Sequence, residues 1–114
     1  MAGVRIPLLP AGSAADETTS QPIDCTQLKS LVFYFTSTGD TTTGNLLIEE
    51  ADWDPLTEPP YSGTWSQVVS ITTVSFTGGA QVAYHISPNE YAFLRVRINT
   101  GVSTGSIKAV ARAS

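Results

Sequence analysis

The chain alternates hydrophobic and polar residues along several segments, and the clearest alternation covers residues 91–99. Successive side chains of a β-strand point to opposite faces, so this pattern predicts a strand with one face in a core and one polar face. On a helix, the same hydrophobic residues would spread around the whole circumference. The hydrophobic face carries Ala92, Leu94, Val96 and Ile98, and the other face carries Phe93, Arg95, Arg97 and Asn99.

Other segments carry the same strand signal, and turn residues separate them. Gly78 and Gly79 suit a tight hairpin because glycine accepts positive φ angles, and Pro88 lies in a four-residue turn. The further strand segments are 28–36, 45–51, 65–76, 81–86 and 106–113. Short strands joined by turns, without a helical segment between them, predict an all-β protein. We expect about seven or eight strands in an antiparallel two-sheet β-sandwich of the jelly-roll or immunoglobulin-like type.

Two regions lack this alternation of hydrophobic and polar residues. Residues 1–22 are rich in Pro, Gly, Ala and Ser, and we interpret them as an extended N-terminal arm that can add an edge strand through residues 4–9. Residues 23–114 then form the sandwich domain, and deletion of residues 1–12 is expected to leave its fold intact. Residues 53–63 include three prolines, which predict a long loop, and long loops in small domains are often functional.

The composition narrows the classes of partner. Charged residues make up only 14% of the 114 residues, so we hypothesise that neighbouring subunits cover part of the surface. The net charge of −4 and the dispersed basic residues argue against nucleic acid and against anionic membranes as partners. Pro7 and Pro10 break the apolar start, which is therefore not a signal peptide, and we expect synthesis in the cytoplasm.

Residues capable of catalysis or metal binding are few. Cys25 and His85 are the only cysteine and histidine, and no catalytic motif surrounds either, so we expect no enzyme activity and no cofactor. A hydrolase built on His85 is the least favoured alternative. Acidic side chains within residues 49–58 have the oxygen ligands that calcium prefers, but their spacing is not that of an EF-hand. We expect a solvated acidic edge there and no metal.

Aromatic residues flank the proline-rich loop. Trp53 and Tyr61 lie beside prolines, and we expect them to contact other proteins. Trp65 is expected to begin a strand and to close one end of the core. The alternative is that Trp53, Tyr61 and Trp65 stack on sugar rings, as in a carbohydrate- or receptor-binding module.

Three motifs follow one another along the chain: residues 46–52 read Leu-Leu-Ile-Glu-Glu-Ala-Asp, residues 64–68 read Thr-Trp-Ser-Gln-Val, and residues 91–98 read Tyr-Ala-Phe-Leu-Arg-Val-Arg-Ile. Their order resembles that of small β-sandwich virion proteins of tailed bacteriophages. In that family, a strand ending in Glu-Glu-Ser leads through an acidic turn to Trp-x-x-Val, and a later strand reads Tyr-x-x-Leu-Arg-Val. The similarity covers about residues 18–113, and the proline-rich residues 55–63 depart from the family pattern.

The resemblance implies a non-enzymatic capsid decoration (cement) protein that binds and stabilises the phage head shell. Its partners would be the major capsid protein or other virion subunits, it would form a homo-oligomer such as a trimer, and it would reside in the virion. The alternative is a carbohydrate- or receptor-binding β-sandwich module of a tail or head fibre. The contact residues that we expect are Val4, Ile6, Leu8 and Leu9 in the arm, and Trp53 and Tyr61 in the loop.

Overall fold

The computed structural model describes residues 4–56, 64–72 and 76–114, and within these ranges it contains β-strands and no helix. The strands are β1 (Val4–Ser13), β2 (Ile23–Asp24), β3 (Leu31–Thr38), β4 (Thr43–Ala51), β5 (Ser66–Thr72), β6 (Gln81–Ile86), β7 (Phe93–Ser103) and β8 (Ser106–Ala113). They form two four-stranded antiparallel sheets, with the order β1-β8-β3-β6 in the first and β2-β7-β4-β5 in the second. The predicted all-β, two-sheet sandwich is confirmed.

Strand pairing is nested along the chain. β1 pairs with β8, β2 with β7, β3 with β6 and β4 with β5, and these pairs alternate between the two sheets. One long hairpin that folds over on itself produces this arrangement. Consequently, the β2–β3, β4–β5 and β6–β7 connections all lie at one end of the sandwich, together with the start of β1 and the end of β8.

The core lies between the two sheets and follows the alternation read from the sequence. Leu94, Val96 and Ile98 of β7 are fully buried, as their spacing predicts, and they pack in one cluster with Phe33 and Phe35 of β3. Burial of each such side chain stabilises the fold by about 1.5–3 kcal/mol. Side chains that alternate with these core residues point outward, so polar residues and candidate sites lie on the outward faces of the two sheets.

The N-terminal residues form an edge strand, as sequence analysis allowed for residues 4–9 of the expected arm. Residues 4–13 pair with β8 along the edge of the first sheet, and the register shifts after Pro7 and again after Leu9. Proline is tolerated there because an edge strand leaves one row of N–H groups outside the ladder. The shifted register lets both Leu8 and Leu9 enter the core, so these residues belong to the sandwich.

The chain between β1 and β2 is also bound to the second sheet. The amide of Glu17 donates to the carbonyl of Ile98 at 2.8 Å, and that of Ser20 donates to the carbonyl of Val96 at 2.8 Å. Residues 17–20 of the expected arm are therefore attached to β7 by backbone hydrogen bonds. The described residues hold no helix of the length and hydrophobicity needed to cross a bilayer.

Candidate interface site at one end of the sandwich

The exposed large hydrophobic side chains of the described residues gather at one end of the sandwich. Val4 is 70% exposed, Trp53 48% and Leu56 94%. Val4 begins β1 opposite Ala113, the last residue of β8, whereas Trp53 and Leu56 follow β4 on the other sheet at the same end. We call this end of the sandwich the Trp53 end.

Trp53 is held in place by an aromatic neighbour. Its ring lies on that of Phe93 with centroids 6.2 Å apart and planes 7° apart. Phe93 faces Ala51 across the β4–β7 ladder, and Trp53 follows Ala51 by two residues. The carboxylate of Asp52 accepts a hydrogen bond from the Trp53 amide at 2.8 Å, which fixes the turn. The site thus presents an ordered aromatic ring at the surface.

The outer face of the second sheet carries a buried carboxylate. Glu49 is only 5% exposed, although sequence analysis predicted a solvated acidic edge. Its two oxygens accept hydrogen bonds from Nε of Arg95 at 2.9 Å and from Nε of Arg97 at 3.2 Å. The ladder places Glu49 directly opposite Arg95 and diagonal to Arg97. Because the Glu49 carboxylate and the two guanidinium groups are partly desolvated, removal of one partner should lower the free energy of unfolding.

The two arginines extend this network in opposite directions. Nη1 of Arg97 donates to both carboxylate oxygens of Glu17, at 2.8 and 3.0 Å, and this hydrogen bonding raises the pKa of Arg97 above its ordinary value. The guanidinium of Arg95 lies 4.2 Å from the ring centroid of Trp65, in a cation–π contact. Trp65 therefore packs on the outer face of the second sheet and does not close the core as expected.

A single amide side chain joins two connections at the Trp53 end. Nδ2 of Asn89 lies within hydrogen-bond distance of the carbonyls of Cys25 (3.0 Å), Leu28 (3.2 Å) and Tyr91 (3.2 Å). The backbone N–H of Asn89 also donates a hydrogen bond to the carbonyl of Lys29 at 2.8 Å. These hydrogen bonds join the β2–β3 connection to the β6–β7 connection, so the backbone of both connections is held in place at the Trp53 end.

The two candidate catalytic residues lie in different layers. Cys25 is buried in the core, and its thiol donates to the carbonyl of Ile23 at 3.4 Å. Burial, together with the charge of Asp24, raises the pKa of this thiol from 9.0 to about 12, so it stays protonated at neutral pH. His85 is exposed on the outer face of β6.

Asp52 and Asp54, two acidic residues of the β4–β5 connection, accept hydrogen bonds from its backbone amides. The carboxylate of Asp54 accepts a hydrogen bond from the amide of Leu56 at 2.9 Å, as Asp52 does from Trp53. Glu49 is neutralised by arginines. Across the described ranges, no three His, Cys, Asp or Glu side chains are grouped to hold a metal ion.

The structure divides the predicted contact residues into three groups. Val4 and Trp53 are exposed at the Trp53 end. Ile6 is half-buried against the core, and Leu8 and Leu9 are core residues, because β1 joins the sheet instead of leaving it. Tyr61 lies outside the described residues. Sequence analysis missed Leu56, whose only signal is an apolar residue directly after Pro55 in an otherwise polar loop.

Solved structures of other proteins share this fold. The chain matches the crystal structure of the SPBc2 prophage-derived protein YomS with a TM-score of 0.58 and 9% identity, over 97% of this chain and 92% of YomS. It also matches the PBSX exported protein XepA with a TM-score of 0.55 and 16% identity, over 98% of this chain and 37% of XepA. At these identities, the likeness establishes the fold. No protein-family model matches the chain, and neither does any curated protein.

Proposed function

We propose that this chain is a non-enzymatic structural protein of a phage-like particle. The observation that carries the proposal is the fold likeness to the prophage-derived protein YomS, which spans nearly the whole of both chains. The sequence resemblance to small virion proteins points in the same direction independently. The protonated, buried state of the Cys25 thiol supports the non-enzymatic part of the proposal.

Within such a particle, the proposed role is capsid decoration (cement), with the Trp53 end contacting the major capsid protein or another virion subunit. Tryptophan is the residue type most enriched among the anchors that dominate binding energy. The stack on Phe93 orders the Trp53 ring before binding, which lowers the entropy cost of association. The nested strand pairing supports the jelly-roll form of the sandwich over the immunoglobulin-like form.

One small contact per subunit is weak, so the proposal includes a homo-oligomer such as a trimer. Linking several Trp53 ends in one assembly makes the later binding events intramolecular and raises the overall avidity. The low fraction of charged residues is in keeping with a surface that neighbouring subunits partly cover. Localisation in the virion follows from this proposal.

Co-sedimentation with particles that lack the protein tests the role of the Trp53 end. Trp53→Ala should weaken binding by about tenfold or more, as for other tryptophan anchors. Trp53→Phe should retain part of the affinity because it keeps a ring on Phe93. Thr38→Ala is the control, since Thr38 is an exposed residue where β3 ends, at the opposite end of the sandwich from Trp53. Equal binding by wild type and Trp53→Ala would refute the proposed contact.

The half-exposed Trp53 ring also favours a second candidate, a carbohydrate- or receptor-binding module. An ordered aromatic face suits stacking against a sugar ring. A glycan array that compares wild type with Trp53→Ala separates the two candidates. Saturable glycan binding that the substitution abolishes would support the module, and its absence would leave the structural role.

A further inference from the structure

Half of the six basic residues of this acidic chain lie in the first sheet. The four strands of the first sheet contain Arg5, Lys108 and Arg112 and no Asp or Glu, although the whole chain has a net charge of −4. In contrast, the arginines of the second sheet are neutralised by Glu49 and Glu17. The first sheet therefore presents cationic groups that its own strands do not neutralise.

The strand register brings these cationic groups together on the outer face. Arg5 lies opposite Arg112 in the β1–β8 ladder, and Lys108 lies opposite Thr36 in the β3–β8 ladder. All of these residues alternate with core residues along their strands, so they share the outward face. The groove between them has a volume of about 280 Å³, and its lining residues are Arg5, Tyr34, Thr36, Gln81, Lys108, Val110 and Arg112.

We propose that this groove binds a small anionic ligand, a phosphate or carboxylate group carried on a sugar-like polyhydroxylated body. Arginine forks and a lysine ammonium are the protein groups that bind such anions most strongly, and the lining includes no carboxylate that would oppose them. The volume lies near the lower end of the range for small-molecule sites.

The remaining lining residues match the polyhydroxylated part of the ligand. The hydroxyl of Thr36 donates to Oε1 of Gln81 at 3.4 Å, which places a hydroxyl and an amide side by side across β3 and β6. Tyr34 adds a phenol and an aromatic face, and it lies opposite Val110 in the β3–β8 ladder. Hydroxyl and amide groups bind sugar hydroxyls, and the aromatic face packs against the apolar face of a sugar ring.

The groove is lined by none of Val4, Trp53 and Leu56, although Arg5 follows Val4 in β1, so substitutions at Trp53 and in the groove test the two proposals separately. The groove lies on the outer face of the first sheet, whereas Trp53 and Phe93 belong to the second sheet and its loop. A nucleic-acid strand is the less favoured occupant, because it requires a longer cationic track and the net charge of the chain opposes it.

Isothermal titration calorimetry of the full chain tests this site with three probes that share one ring: glucose 6-phosphate, glucuronate and glucose. We expect one or both anionic sugars to bind, glucose to bind at least about tenfold more weakly, and the affinity for the anion to fall as salt is raised. The phosphate and carboxylate arms identify which anion the groove prefers. Equal binding of all three sugars, or no binding of either anion at millimolar concentration, would overturn the proposal.

Two substitutions locate the binding in the groove. Lys108→Gln and Arg112→Gln should each weaken binding of the preferred anion by about tenfold and should leave the thermal unfolding temperature nearly unchanged, because both side chains are exposed. Lys29→Gln is the matched control, since this exposed lysine lies in the β2–β3 connection, outside the groove. Anion binding that both groove substitutions leave intact would refute the assignment of the site.

Discussion

The indole ring of Trp53 lies parallel to the ring of Phe93, with a centroid separation of 6.2 Å. The two rings have unequal roles, because Phe93 is buried whereas Trp53 is about half exposed. Phe93→Ala should lower the free energy of unfolding by about 3–5 kcal/mol, the usual cost of truncating a buried aromatic side chain. Trp53→Ala should lower it by only about 1 kcal/mol, the worth of an aromatic pair. Urea unfolding measures both, and an equal loss would contradict a surface role for Trp53.

The ion pairs of Glu49 and Glu17 provide a second comparison. Glu49 is buried between two arginines, whereas the side chain of Glu17 is 66% exposed. Glu49→Gln should lower the free energy of unfolding by about 2–4 kcal/mol, because it leaves the partly desolvated guanidinium of Arg95 without its carboxylate partner and leaves Arg97 paired with Glu17 alone. Glu17→Gln should cost less than about 1 kcal/mol, as for other exposed pairs. Similar values for the two variants would show that Glu49 is well solvated.

The packing of β1 predicts that the N-terminal residues stabilise the fold. Leu9→Ala should lower the free energy of unfolding by about 2–5 kcal/mol, whereas Val4→Ala, at an exposed position of the same strand, should change it by less than about 0.5 kcal/mol. Deletion of residues 1–12 should also lower the unfolding temperature, because it uncovers the edge of β8. An undiminished unfolding temperature in the deletion variant would restore the interpretation of these residues as an arm.

The buried thiol of Cys25 predicts a pH dependence of stability. Its pKa is raised from 9.0 to about 12 in the folded chain, so the folded state keeps a proton that the unfolded state releases. The thiol therefore stabilises the fold fully below about pH 9, and this contribution is lost as the pH rises toward about 12. The difference in unfolding free energy between wild type and Cys25→Ala should shrink between about pH 8 and about pH 11. A constant difference over that interval would mean that the thiol titrates normally.

Strong local alternation made much of the fold predictable. β7 was identified because Leu94, Val96 and Ile98 recur at every second position, and all three are buried. β1 was predicted only in part, as an edge strand that residues 4–9 can add, since two prolines and the adjacent Leu8 and Leu9 break the alternation. Its strand conformation depends on an edge position and on shifts in register, which local pattern does not encode.

The candidate site was predicted only in part, because much of it depends on contacts between distant segments. Trp53 was identifiable as an aromatic residue beside prolines, but its partner Phe93 follows 40 positions later in the sequence. The burial of Glu49 depends on the β4–β7 register, which places Arg95 and Arg97 beside it. Sequence pattern assigns the residues to strands, whereas their pairing decides which charges meet.

The proposed virion role is tested most directly by quantitative mass spectrometry of particles purified on a density gradient from the strain that encodes this chain. The account predicts that the chain is present in many copies per particle, in a fixed ratio to the major capsid protein. Detection of the chain in the unsedimented lysate, together with its absence from the purified particles, would contradict the account.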